Sequence, residues 1–372
     1  MGLELADIFR EYGVEYRQKH ADTLGDSQRR VMWAIEHCRT EALGGQIYRC
    51  PDCEQQRYSY HSCRNRHCPK CQHERTQSWL ETQRELLLPV PYFMLTFTLP
   101  SGLRELASRN QTLIYNLLFC ASAEATQHLA KDPRFVGGQI GLVGVLHTWT
   151  RNLAYHPHVH YLAPGGGLVS EAAIWQPAGQ DFFLPVRVLS RLFRTAFRHK
   201  LQKTALFAQV APEVWQKEWV VHCKPVGNEQ AALKYLAPYI YRVAISNRRL
   251  ISMNHHGSLE TSQVTFQYRA SDTGQLKFCT FSVESFIQRF LQHVLPHGFV
   301  KVRYFGFFGA TLRSRLAAVQ QSLGKSTDPQ LDPQQTAQTT ESDETHSKIL
   351  CPQCGKTMLF QRVLPPSSCR SP

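Results

Sequence analysis

The cysteines constrain this chain more than any other feature. Of the 12 in the sequence, six lie between Cys38 and Cys71 and three between Cys351 and Cys369. Within the first block the spacing is Cys50-x2-Cys53-x14-Cys68-x2-Cys71. Each Cys-x2-Cys bends the backbone into a knuckle that presents two sulfurs, and two knuckles complete a tetrahedral four-thiolate zinc site. Four protein ligands leave no open position, so the expected role is structural. Cys38 and Cys63 remain, with His37, His61, His67 and His73 nearby. They predict a second zinc held by both thiols and one or two histidines, with His67 a candidate. Cys351-x2-Cys354 reads as half of a zinc ribbon to which only Cys369 is added, so a fourth ligand is missing there. Cys120, Cys223 and Cys279 stand alone and read as packing residues. The segment MGLELADIFREYG lacks the apolar stretch of a signal peptide. No apolar run approaches the roughly 20 residues of a membrane span. These cysteines therefore read as metal ligands in a reducing cytoplasm, not as disulfides.

Charge narrows the partner. The chain carries 42 Lys+Arg against 29 Asp+Glu, a formal charge of +13. A balance this basic favours nucleic acid or another polyanion. Arg64, Arg66 and Lys70 lie among the cysteines, with Tyr48, Tyr58 and Tyr60 close by. Basic side chains hold phosphates while aromatic rings stack on unpaired bases. In VRVLSRLFRTAFRHKLQK, Arg187, Arg191, Arg194 and Arg198 follow helical spacing, while Leu189, Leu192, Phe193 and Phe197 form the stripe that docks on the protein. Lys234, Arg242 and Arg248 add further candidate phosphate contacts. A nucleoside-deaminase reading fails, because no H-x-E precedes His67-Cys68-Pro69-Lys70-Cys71.

The pattern along the chain predicts α+β architecture with a mainly antiparallel sheet. Residues 1 to about 36 and 74–90 read as helical, around the cysteine block. YFMLTFTLP alternates, a strand signature. Residues 103–130 read as a helix, 141–149, 158–163 and 219–226 as strands. Asn228 caps a following helix, and VTFQYRA and KFCTFSV form a hairpin about 271–274. A helix over 284–294 and a strand over 299–308 follow. The predicted domains are an N-terminal helical and zinc-binding unit (1–88), a catalytic unit (89–316), a polar linker (317–347) and a partial zinc-ribbon tail (348–372).

Two motifs carry chemistry. In AYHPHVHYLAPGGG, His156, His158 and His160 alternate and share one strand face. Adjacent members lie about 6.6 Å apart and can share a metal, whereas the outer two are about 13 Å apart unless the strand bends. His158 and His160 are the primary pair. The third ligand is left open between His156 on a bent strand, His147 and Asn247. The metal expected in use is Mg²⁺ or Mn²⁺, although imidazole is softer than Mg²⁺ prefers. Gly165-Gly166-Gly167 either admits a phosphate close to the backbone or makes a plain turn. The second motif is KYLAPYIY, in which Tyr235 and Tyr239 sit about 40° apart around a helix and about 6 Å along it. A metal beside two tyrosines suits phosphodiester chemistry, with a phenol oxygen as nucleophile.

The order SCRNRHCPKC, FTLPSGLR, YHPHVHYLAPGGGL, KYLAPYIYRVAISNRR and VRYFGFFG resembles a bacterial insertion-sequence-91-like rolling-circle transposase of the HUH endonuclease superfamily, over roughly residues 20–316. The resemblance implies a palm-like antiparallel sheet carrying His158 and His160, and a helix presenting Tyr235 and Tyr239. It implies cleavage and rejoining of single-stranded or locally melted insertion-sequence ends and target DNA through a 5′-phosphotyrosine, with host replication involved indirectly. It also implies a bacterial cytoplasmic, nucleoid-associated protein. Two other classes remain in view: a nonenzymatic zinc-dependent DNA-binding regulator, and a metal-dependent hydrolase indifferent to the tyrosines.

Overall fold

The computed structural model describes residues 2–71, 83–169, 174–179, 181–270, 272–324 and 349–367; the side chains of 236–239, 241 and 313 also lie outside the description. Two helices, Leu5–Lys19 and Asp26–Glu36, open the chain. The hairpin β1 (Gly45–Arg49) and β2 (Gln56–Tyr60) follows. Next come β3 (Tyr92–Thr98), β4 (Leu142–Trp149) and β5 (Tyr155–Pro164), then a small hairpin, β6 (Gly166–Val169) and β7 (Ile174–Pro177). β8 (Val221–Gly227), β9 (Leu250–Asn254), β10 (Gln263–Arg269), β11 (Leu276–Ser282), β12 (Val302–Phe305) and β13 (Leu359–Leu364) complete the strands. The main sheet is five-stranded, in the order β12-β4-β5-β3-β8, and antiparallel throughout. The expected α+β architecture is therefore present.

Alternation along these strands makes two different faces. Phe93, Leu95 and Phe97 of β3, Val159, Tyr161 and Ala163 of β5, and Leu142 and Leu146 of β4 point to one side. There they pack on helix Gln111–Ala130 through Ile114, Tyr115, Leu118 and Phe119, and on helix Val186–Leu201 through Leu189, Phe193 and Phe197. Tyr92 and Met94, Val143 and Val145, and Leu162 point to the other side. They meet helix Glu229–Tyr241 through Ala232, Leu233 and Ile240, and helix Arg313–Ser322 through Leu316 and Val319. The histidines occupy an end of this second face.

Several expectations are refined. The helix over 103–130 breaks at Asn110, giving Arg104–Arg109 and Gln111–Ala130. The strand after residue 299 is short, because Gly306 turns the chain with φ +61 so close to Ile140 that no Cβ fits. The linker does not begin at 317: the helix with buried Val319 runs to Ser322, and 325–347 lie outside the described residues, as do 74–82 of the expected connecting helix. The boundary at 88 does not separate two cores. The opening helices share one cluster with β9–β11 and helix Val283–Leu291, joining Ile8, Phe9 and Met32 to Phe266, Phe286 and Phe290.

Gly144 on β4 tests how tightly the first face is packed. A Cβ there would come within 2.5 Å of the Tyr161 ring and 3.1 Å of Phe119. Gly144→Ala is expected to cost about 1–3 kcal/mol by overpacking, read as an earlier midpoint in urea denaturation.

Candidate functional site

The thiols gather into two clusters. Cys38, Cys63, Cys68 and Cys71 form one, with Sγ–Sγ separations of 3.5 Å (Cys38–Cys71) and 3.6 Å (Cys63–Cys71). Cys50, Cys53, Cys351 and Cys354 form the other, at 3.4 Å (Cys50–Cys354), 3.5 Å (Cys53–Cys351) and 3.7 Å (Cys53–Cys354). Tetrahedral zinc with Zn–S bonds near 2.3 Å sets its sulfurs about 3.8 Å apart, so both sets fit the ion. Structural zinc is the role these closed, all-thiolate clusters support.

This pairing corrects the expected one. Cys50 and Cys53 do not share a site with Cys68 and Cys71, and the tail is not a half-site completed by Cys369, which lies outside the described residues. The reason is backbone geometry. Cys50-Pro51-Asp52-Cys53 and Cys351-Pro352-Gln353-Cys354 fold alike: the N–H of Glu54 donates to Cys50 O, and that of Gly355 to Cys351 O. The residue after each knuckle is left-handed, Glu54 at φ 57 and Gly355 at φ 73. β13 then pairs antiparallel with β1, which brings the two knuckles face to face. Lys356 pairs with Asp52 across the junction. His67 is not a ligand. Its Nε2 accepts from the N–H of Leu295 at 3.3 Å, and burial pushes its pKa down to about 3.

The histidine site grows from strand register. His158 and His160 share a face of β5, and His147 of β4 lies directly opposite His158. The ligand nitrogens of His147, His158 and His160 all lie within 4.8 Å of one another. His156 stays outside this set, because a cross-strand neighbour is roughly 5 Å away while i+4 along a strand is roughly 13 Å. The Nδ1 of His156 instead lies 2.6 Å from Arg104 Nη2. Asn247 is also excluded: its Oδ1 accepts from the N–H of Leu5. The imidazole orientations suit a cation. The Nδ1–H of His158 donates to His156 O at 2.7 Å, leaving Nε2 as its lone pair. Nδ1 of His160 bonds Thr96 Oγ1 at 3.0 Å, across the β3–β5 ladder. Burial, followed by neighbouring positive charge, pushes His158 down to about 4 and His160 to about 2. Both imidazoles are therefore neutral and able to ligate.

The tyrosine helix lies over the same face. Asn228 caps it by accepting from the N–H of Ala231. Lys224 of β8 sets its Nζ 4.6 Å from the centre of the Tyr235 ring and also bears electrostatically on His160. The Tyr239 side chain lies outside the described residues. At the far end, Lys301 donates to Ile240 O (3.1 Å) and Arg242 O (3.2 Å) while lying over the Trp149 ring. Burial lowers its pKa to about 7. Trp149 in turn stacks on His147 at 4.8 Å.

The basic residues divide. Lys234, Arg242 and Arg248 are exposed near the tyrosine helix, and Arg64 is exposed on the zinc module. Arg66 is turned inward and donates to the carbonyls of Phe299 and Pro296, so it docks the module rather than offering a free charge. Lys70 pairs with Glu4 at 2.5 Å. Arg187, Arg191, Arg194 and Arg198 ride a helix on the opposite face of the sheet from the histidines. Arg194 donates to Lys217 O, and Arg198 lies over the rings of Phe207 and Trp215. The glycine run is strand packing: a Cβ on Gly166 would meet the Trp175 ring at 2.4 Å. Thr96, Lys224 and Lys301 were missed by pattern reading, because each acts across strands or elements. The tail knuckle did carry a signal, the shared Cys-Pro-x-Cys of 50–53, 68–71 and 351–354.

Known proteins resemble the chain throughout this architecture. Residues 141–315 match the family described as "Putative transposase", and residues 8–99 match "Transposase zinc-binding domain". A relative from Sinorhizobium fredii, "Putative transposase y4qJ", is 44% identical over 347 residues, covering 87% of this chain and 85% of its own. "Transposase for insertion sequence element IS801" from Pseudomonas savastanoi pv. phaseolicola is 29% identical over 290 residues, covering 73% and 67%. No solved structure matches the chain. Among the described residues no helix is long and apolar enough to cross a membrane.

The clusters make a stoichiometric prediction. Purified protein should carry two zinc ions per chain by elemental mass spectrometry. Cys351→Ser/Cys354→Ser should carry one, because only the cluster of Cys38, Cys63, Cys68 and Cys71 survives intact.

Proposed function

The chain belongs to the insertion-sequence-91-like transposase family, and from that premise we propose that it cleaves and rejoins single-stranded DNA at its element's ends through a 5′-phosphotyrosine. A transposase is a DNA-cleaving enzyme with DNA as its substrate. The finer reading rests on one observation: the imidazoles of His147, His158 and His160 and the helix of Tyr235 share one face of the main sheet. His158 and His160, with His147 as third ligand in place of His156, would hold a divalent ion, Mn²⁺ or Mg²⁺. When bound, that ion draws charge from the scissile phosphate.

Chain residues do the rest. The hydroxyl oxygen of Tyr239 or Tyr235 attacks phosphorus, forming a tyrosine O–P bond. The bond to the 3′ oxygen breaks, and that oxygen leaves with a proton as a free 3′-OH. The ester energy stays in the phosphotyrosine, so rejoining needs no nucleotide cofactor: a 3′-OH attacks phosphorus and tyrosine leaves. The second tyrosine makes the second cut, and host replication replaces the transferred strand. Lys234, Arg242, Arg248, Arg64 and the Arg187–Arg198 row are candidate phosphate contacts. The work is assigned to the bacterial cytoplasm, at the nucleoid.

Incubating the protein and Mn²⁺ with labelled single-stranded DNA spanning the element's ends should yield a protein–DNA adduct on a denaturing gel. Tyr235→Phe and Tyr239→Phe should each retain DNA binding but lose one cleavage step, and the double variant should form no adduct. Specific binding with no adduct from zinc-loaded protein would favour a DNA-binding regulator; free ends made by the double variant would favour a hydrolase.

Acidity supplies a second prediction. His158 and His160 bind protons less readily in the fold than the usual 6.5. Their lone pairs thus stay available down to about pH 5 and fill only on approach to about 4. Mn²⁺ binding should be insensitive to these groups from pH 6 to 8 and fall below about 5, by titration calorimetry. The sign for stability is the same. Unfolded imidazoles take up protons from about pH 6.5 downward that folded ones refuse, so acidification weakens the metal-free fold.

A further inference from the structure

The zinc module carries a groove whose lining includes none of the histidines and tyrosines assigned to cleavage. β2 is the outer strand of the β13-β1-β2 sheet, and its far edge has no strand partner among the described residues. Tyr58 and Tyr60 project from one side of β2 with ring centres 6.1 Å apart and planes 23° from parallel. Tyr58 is 51% exposed. Their rings border a groove of about 710 Å³ whose other walls include Arg39, His61 and Arg64, with no acidic residue among the described residues that line it.

The two arginines adjoin the first thiol cluster. Arg39 directly follows Cys38, and Arg64 directly follows Cys63, both members of the first thiolate set. Both are left-handed, at φ 59 and φ 51. A non-glycine residue held in this region is strained and persists where its surroundings dictate it. Here the flanking cysteines do so, and the N–H of Arg39 donates to His61 O at 3.1 Å, tying the two loops together. The result is an aromatic pair beside two exposed arginine residues.

We propose that this groove is a second DNA site, which binds a short unpaired segment by stacking bases on Tyr58 and Tyr60 and holding its phosphates with Arg39 and Arg64. Open aromatic faces need unstacked bases, which a duplex does not present. The exposed strand edge suits a single extended strand better than a groove-reading helix would. The proposal rests on the reading that the chain handles single-stranded DNA, but it concerns binding away from the histidines and tyrosines that cut.

The test uses full-length, zinc-loaded protein and a fluorescein-labelled oligothymidine 12-mer containing 5-iododeoxyuridine. Photocrosslinking followed by peptide mass spectrometry should map a crosslink to Tyr58 or Tyr60. Tyr58→Ala/Tyr60→Ala should lose that crosslink and bind at least tenfold more weakly by anisotropy, whereas Tyr58→Phe/Tyr60→Phe, which keeps both rings, should bind within about twofold of wild type. Zinc content unchanged in both variants shows that the module has folded. Wild-type affinity in the alanine variant, or crosslinks confined to other segments, would overturn the proposal. The adduct assay separates the two readings: an adduct with no role for Tyr58 and Tyr60 sinks only the groove, and groove-dependent binding with no adduct sinks only the cleavage chemistry.

Discussion

The register of β5 between β3 and β4 is the constraint on which the site depends. Side chains alternate along a strand, so a slip of one residue would exchange its two faces. In the observed register Val159, Tyr161 and Ala163 enter the aromatic core, and His158 and His160 reach the other side. Tyr161 locks that choice. Its hydroxyl donates to Phe119 O at 3.0 Å and lies 2.8 Å from Ser122 Oγ, while its ring meets Phe97 edge to face at 5.8 Å. The imidazoles are thus aimed by packing they do not touch. The same burial strips them of solvent and keeps them neutral.

A second set of contacts joins the zinc module to this sheet. Arg66 bonds the carbonyls before β12, and the opening helices share their core with β9–β11. Lys301 extends the connection. It satisfies two terminal carbonyls of the tyrosine helix and lies over Trp149, which stacks on His147. A carbonyl at a helix end has no partner within the helix, so a buried ammonium there fixes where the helix stops. The tyrosine helix and the histidine strand are consequently referenced to one side chain.

Much of this was legible in the sequence because it is local. Alternation marked β3, 141–149 and 158–163 read as strands, and the i, i+2 spacing alone put His158 and His160 on one face. Asn228 announced the start of the tyrosine helix. What was not legible is nonlocal. His147 and His156 both flank the primary pair, and only the β4–β5 register distinguishes them. Three Cys-Pro-x-Cys knuckles offer more than one pairing, and nearness along the chain selects the wrong one. β1 is only five residues long and β13 is exposed along most of its length, so neither carries a strong alternating signature, yet their ladder decides which knuckles meet. Arg66 and Arg64 look alike in sequence; one docks the module and the other faces solvent.

The second thiolate cluster spans 304 residues between Cys50 and Cys354. During synthesis Cys50 and Cys53 emerge long before their partners, by on the order of 15–60 s at the usual bacterial rate of translation. Through that interval the β1–β2 hairpin has neither its third strand nor half of its sulfurs. The first cluster, with all four thiols inside residues 38–71, closes early. Completion of the second therefore records that the ribosome has read through the histidine strand, the tyrosine helix and the polar segment beyond. A message broken anywhere before codon 351 yields a chain whose first and last strands never meet.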